Sequence, residues 1–183
     1  MCRNNRSGFT LIEIMVVLTI IGLLAAIISP NFRSRKPEYE RQQFLGSLNA
    51  LVRLAAQQAS ATGKLHRLHF DFERNKVSVE VKAEGKNDKG EQAFKPMRAP
   101  YLRSVLTLPK YYRVENFSIE GKDEGSATTK KTAWFFIMPD GLAQDVIINI
   151  TDRNPAYRNK PKQIGLVMNP FSAQFKIYDS FQK

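Results

Sequence analysis

Cysteine is almost absent from this 183-residue chain: the single one, Cys2, stands at the second position. An internal disulfide is therefore excluded, and so is a thiolate metal cluster, which needs several sulfurs. Histidine is nearly as scarce. His66 and His69 are three apart in a stretch that reads as a strand, where an odd separation sends them to opposite faces, so no shared metal site is expected. The ten glycines form no phosphate-cradling loop. Asp140, Asp145, Asp152 and Asp179 are too dispersed to converge on calcium. No catalytic constellation stands out, and the reading is of a non-enzyme without metal or cofactor. Acid is also in short supply, with 17 Asp and Glu against 28 Lys and Arg, a formal charge of +11. That excess suits acidic partners: anionic lipid headgroups, acidic proteins or nucleic acid.

What the chain does have is one long apolar run. Phe9 to Ser29 is 21 residues, of which 16 are apolar and only Glu13 is charged. As a helix it would reach roughly 30 Å, the thickness of a bilayer core. A carboxylate inside such a run costs on the order of a few kcal/mol, so Glu13 is a functional candidate. The competing reading is a glutamate near one end that snorkels to the headgroups.

The run Gly8-Phe9-Thr10-Leu11-Ile12-Glu13-Ile14-Met15-Val16-Val17-Leu18, behind a short polar leader with Arg3 and Arg6, resembles the class III signal of type IV pilins and type II secretion pseudopilins. A secretory signal differs, because its apolar stretch precedes the cleavage site and is lost. The resemblance implies that a prepilin peptidase cuts between Gly8 and Phe9 and N-methylates Phe9. Gly8 has no side chain to obstruct a protease cleft. Cys2 would leave with the leader, and the charge would fall to +9 with the loss of Arg3 and Arg6. Glu13 would then lie one turn from the new ammonium. In the family this glutamate pairs with the terminal amine of a neighbouring subunit; an internal pair with its own terminus is the competing arrangement.

Pro30 ends the run and should kink or break the helix, with Pro37 a second such point. Arg3 and Arg6 on one side and Arg33, Arg35 and Lys36 on the other leave topology undecided by charge. The resemblance places the chain as a single-pass protein of the bacterial inner membrane, with its C-terminal domain in the periplasm. Its implied partners are the lipid bilayer, the prepilin peptidase, other pseudopilins or pilins in a fibre, and an inner-membrane assembly platform.

Residues 38–62 read as an amphipathic helix, with Phe44, Leu48, Leu51, Ala55 and Ala59 at steps of three or four and Gly63 as its stop. From Leu65 the period becomes two. Strands are expected at Leu68–Phe72 and Val77–Val81 about an Arg74-Asn75 turn, and near residues 114–120, 132–138, 145–151, 163–168 and 174–178. Residues 83–100, 121–131 and 152–162 read as loops, and 102–108 as a short helix or strand. Pro139-Asp140-Gly141 and Asn169-Pro170-Phe171-Ser172 carry hairpin-turn chemistry. Trp134, Phe135 and Phe136 are expected in the core.

The division is thus a leader at 1–8, a transmembrane and assembly helix at 9–30, an amphipathic stem at 31–63 and an antiparallel β domain at 64–183. The fold class is α+β and pilin-like, with the long N-terminal helix packed on an antiparallel sheet. The order of elements is most similar to H-type, FimT-like minor pseudopilins. That resemblance implies a structural subunit of a type II secretion pseudopilus, taking part in protein export across the outer membrane. The alternative is a minor type IV pilin acting in pilus assembly or DNA uptake. For the latter the residues to weigh are Arg153, Arg158, Lys160 and Lys162, clustered about Tyr157, which a solvated loop explains more economically than a nucleic-acid patch.

Overall fold

The helical stripe of apolar residues beginning at Phe44 folds as its period dictates. In the computed structural model, which describes residues 10–28, 37–86, 90–97, 104–157 and 160–183, helix α2 runs Pro37–Thr62 and buries Phe44, Leu48, Leu51, Val52, Leu54, Ala55 and Ala59. Proline is its first residue, a position that needs no N–H donor. Gly63 closes it in the left-handed region at φ 63°, donating to the Ala59 carbonyl at 2.9 Å.

The chain divides into two units, residues up to Tyr39 and those from Glu40 onward. The first contains α1, Leu11–Ile28. Its 18 residues extend about 27 Å, and its large apolar side chains from Leu11 to Leu24 are exposed. Among the described residues no helix is long and apolar enough to cross a membrane. Phe9 and Ser29, which complete the apolar run in the sequence, lie outside the described residues, as does Pro30.

The second unit carries two five-stranded antiparallel sheets where a single sheet domain was expected. The first joins β1 (His66–Asp71), β2 (Lys76–Lys86), β3 (Gln92–Pro96), β4 (Val105–Thr107) and β7 (Thr132–Ile137), in the order β3-β2-β1-β7 with β4 also on β2. The second joins β5 (Tyr112–Ile119), β6 (Lys122–Gly125), β8 (Val146–Asp152), β9 (Lys162–Asn169) and β10 (Gln174–Tyr178), in the order β10-β9-β8-β5-β6. One core unites them with α2. Phe70 of the first sheet packs edge-on against Phe117 of the second at 5.3 Å, and Phe135 against Phe175 at 6.0 Å. Asn49 of α2 ties itself to the edge of β10, donating to the Phe175 carbonyl at 3.0 Å and accepting its N–H at 2.7 Å.

Two segments depart from the sequence reading, and a third, left open between helix and strand, is decided. The loop at 83–100 contains the end of β2 and all of β3; the Gln92 amide donates to the carbonyls of Ala83 at 2.7 Å and Gly85 at 3.2 Å, where the ladder slips register. The loop at 121–131 begins with β6, turned back on β5 by Glu120 and Gly121, both at positive φ (49° and 75°). Successive residues at positive φ make the tight hairpin turn whose twist matches the strands. The ambiguous 102–108 stretch resolves as β4, with residues 101–103 outside the described set. Strands β3 and β6 are too polar to show alternation and take their pairing from the partner strands, while β4 is too short to show a period.

Candidate functional site

Of the N-terminal candidates, Gly8, Phe9 and Pro30 lie outside the described residues, and Glu13 lies within them. Thr10 caps α1: its hydroxyl accepts the Glu13 N–H at 3.3 Å, while the Glu13 carboxylate accepts the Thr10 N–H at 3.5 Å. The two residues satisfy one another's orphan donors, the reciprocal arrangement called a capping box. A carboxylate in the first turn also meets the positive end of the helix dipole. Glu13 therefore has a local task in shaping the helix start, which the Thr-x-x-Glu spacing announces and which an argument about membrane charge alone overlooks. Its side chain is otherwise exposed.

The second candidate group is drawn together by strand register. Tyr112, Asp152 and Lys162 form one row across β5, β8 and β9, so the segments just beyond that row share one end of the unit. Arg153, Lys160 and Lys162 are exposed there; Arg158 lies outside the described residues. Arg153 and Arg113 flank Glu115 at 3.8 and 4.0 Å, and the Lys162 ammonium sits 5.0 Å from the centre of the Tyr157 ring. A recess of about 200 Å³ is lined by Arg153, Asn154, Lys160 and Pro161.

Beneath this rim is a buried polar knot. Asp152, only 2% exposed, accepts the Asn154 N–H at 3.0 Å. Burial raises its carboxyl above the ordinary value of 3.8, opposed by hydrogen bonds from the Asn154 N–H and the Tyr157 side chain and by the nearby Arg41. Burial likewise raises the Tyr112 phenol, with Asp152 adding to the effect. The Tyr112 hydroxyl is buried without a hydrogen-bond partner among the described residues. Asn154 also donates to Glu40 at 3.4 Å, and Arg41 pairs with Asp179 at 2.6 Å. The start of α2 is thereby fastened to the second sheet.

A third group lies on the outer face of the first sheet. Of the trio expected in the core, only Phe135 is buried; Trp134 is 41% exposed. Strand alternation forces the split, because Ala133, Phe135 and Ile137 take the inner face. The Arg67 guanidinium lies 4.1 Å from the Phe94 ring centre and 5.1 Å from that of Trp134, and pairs with Glu80 at 2.7 Å. His69 stacks beside Trp134 at 6.4 Å. Burial lowers the His69 imidazole below its usual 6.5, with Glu80 acting to raise it, Arg67 to lower it and Asp71 to raise it. His66 faces inward, 1% exposed, its Nδ1 2.8 Å from the Lys64 carbonyl oxygen. Among the described residues no group of three or more His, Cys, Asp or Glu could hold a metal.

The family description "Prokaryotic N-terminal methylation motif" matches residues 3–29. Over 51 residues the chain is 43% identical to type II secretion system core protein G of Klebsiella michiganensis, covering 28% of this chain and 36% of that protein. It is 45% identical over 52 residues to the protein of the same name from Pseudomonas aeruginosa, covering 28% and 37%. The chain thus spans little more than a third of the length of these relatives. A crystal structure of the minor pseudopilin EpsH from the type II secretion system of Vibrio cholerae superposes with a TM-score of 0.50 at 13% identity, over 76% of this chain and 93% of that one. The N-terminal segment carries a prokaryotic methylation motif, and the fold is the pilin-like α+β fold.

Proposed function

We propose that this chain is a minor pseudopilin, a non-enzymatic structural subunit of the fibre that drives type II secretion. The observation that carries the reading is the methylation motif at residues 3–29, which takes in an exposed apolar helix whose single acid is Glu13. The relatives similar over some 51 or 52 residues are named core proteins of that system, and the motif implies anchoring in the inner membrane.

In this reading the prepilin peptidase severs Gly8 from Phe9 and methylates the new amine. The apolar helix stays in the inner membrane, and the β unit occupies the periplasm. Assembly then proceeds by lateral stacking of helices with other pseudopilins on the inner-membrane platform. A free ammonium and a carboxylate at membrane depth each need a partner, since an isolated charge in hydrocarbon is strongly disfavoured. Glu13 supplies that partner and so fixes the axial offset between subunits. The division into a leader at 1–8, a membrane helix at 9–30, a stem at 31–63 and a β domain at 64–183 follows from the same reading.

Mass spectrometry of the product from cells with an active processing peptidase tests it. The expected amino terminus is N-methyl-Phe9; an intact Met1 terminus overturns the proposal.

A further inference from the structure

The end of the β unit where β5 begins, β8 ends and β9 begins is ringed by cations. Lys110, Arg113, Arg153, Lys160 and Lys162 are all exposed there, with Tyr111 exposed among them. The Arg153 N–H donates to the Tyr111 carbonyl at 2.9 Å, which holds the two segments side by side. Four carboxylates share this end, one of them Asp179, which is paired with Arg41. Glu115 lies between Arg113 and Arg153, Asp152 is buried, and Glu40 accepts from Asn154. Neither Lys110 nor Lys160 forms an ion pair among the described residues. The solvent-facing rim is therefore cationic.

The position of this rim in the chain matters as much as its charge. Glu40, the first residue of the unit, is fastened to it through Asn154. Ile28, the last residue of the apolar helix, is twelve residues earlier, a reach of at most about 42 Å even for fully extended chain.

We propose that this cationic end of the β unit rests on anionic lipid headgroups of the membrane that anchors the chain. The proposal rests on the membrane-anchored reading above. Headgroup phosphates match the Lys and Arg side chains, and each basic residue held near an anionic surface strengthens association roughly fivefold. Tyrosines among the cations suit the same boundary, where an amphipathic ring has one end apolar and the other wet. A tethered unit meets its lipid surface at a high effective concentration, whereas nucleic acid must be captured from solution. Headgroup contact sets which end of the unit faces the bilayer before a subunit is taken into a fibre.

The test uses the full chain in nanodiscs of phosphatidylcholine alone or mixed with phosphatidylglycerol, read by hydrogen exchange at residues 110–114, 152–157 and 160–163. Exchange there is expected to slow severalfold on the mixed discs. It should recover at about 0.5 M salt, where screening acts within a few Å. The pair Lys110→Gln and Lys160→Gln, both on the exposed rim, should weaken the lipid-dependent state roughly twenty-five-fold without moving the thermal midpoint. Equal exchange on the two lipids overturns the proposal. So does protection of the same amides by a DNA duplex on both disc types with no lipid effect, which would reassign the rim to nucleic acid. Failure of the chain to enter discs at all would overturn the anchoring and this proposal together.

Discussion

The side-chain amide of Asn149 holds Gln182 as a neighbouring strand would, accepting its N–H and donating to its carbonyl, both at 2.9 Å. The last residues of the chain thereby cross the second sheet beside Gly165, which pairs with Asn149 in the ladder. A Cβ at Gly165 would stand 2.5 Å from the Ser180 carbonyl oxygen and 2.6 Å from the Gln182 side chain. Glycine is required here for room, since its φ is ordinary.

Two substitutions separate the bond from the space. Asn149→Ala removes both hydrogen bonds from a site 5% exposed and should cost about 1–3 kcal/mol in urea unfolding. Gly165→Ala should displace the tail, and carboxypeptidase should then trim the C-terminus faster than in the parent. Unchanged trimming in Gly165→Ala would count against the strap.

The junction of the two sheets should be the most sensitive part of the core. Phe135 is fully buried and touches both Phe70 and Phe175, so Phe135→Ala should cost about 3–5 kcal/mol. Trp134, its neighbour in sequence but on the outer face, should tolerate alanine with a smaller loss. Equal losses in urea titrations of the two variants would contradict the assignment of faces.

His69 gives a pH signature. Its imidazole is lowered from 6.5 in the folded chain, so the unfolded chain binds the proton more readily and stability rises with pH across its titration. The contribution is present above about pH 6.5 and is lost as pH falls through the lower folded value. Thermal midpoints of the parent and His69→Gln should therefore diverge between neutral and mildly acidic pH. Parallel curves would remove His69 as the source.

Thr10 and Glu13 can be told apart at the helix start. Thr10→Ala removes a cap, typically about 1 kcal/mol of local helix stability, and keeps the carboxylate. Glu13→Leu removes the charge. On the proposed reading, Glu13→Leu should still be inserted and processed but should enter fibres poorly, while Thr10→Ala should be affected far less. Normal co-assembly of Glu13→Leu with partner subunits would refute the carboxylate's role.

How much of this was legible in the sequence depended on the strength of each local pattern. The α2 stripe from Phe44 to Ala59 and the alternation of β1 and β2 were plain, because one face of each is apolar and the other polar. Strands β3 and β6 were hidden, since Lys, Gln, Asp and Glu dominate them and their pairing belongs to β2 and β5. The Glu120-Gly121 turn was the available signal for β6, and Thr10-x-x-Glu13 for the cap. Trp134 was misplaced because three aromatics in a row were read as a block, although alternation sends the middle one to the opposite face from its neighbours. The grouping of Lys110 with Arg153 and Lys160 could not be read from spacing, as it arises from antiparallel register across three strands.

Asn49 has one more consequence. A terminal strand normally offers its bare backbone to any passing chain, which invites stacking without limit. By pairing with Phe175 from the chain's own helix, Asn49 closes that rim to a passing strand at this residue. Such self-sealing works against amorphous clumping where copies of the chain crowd at high density.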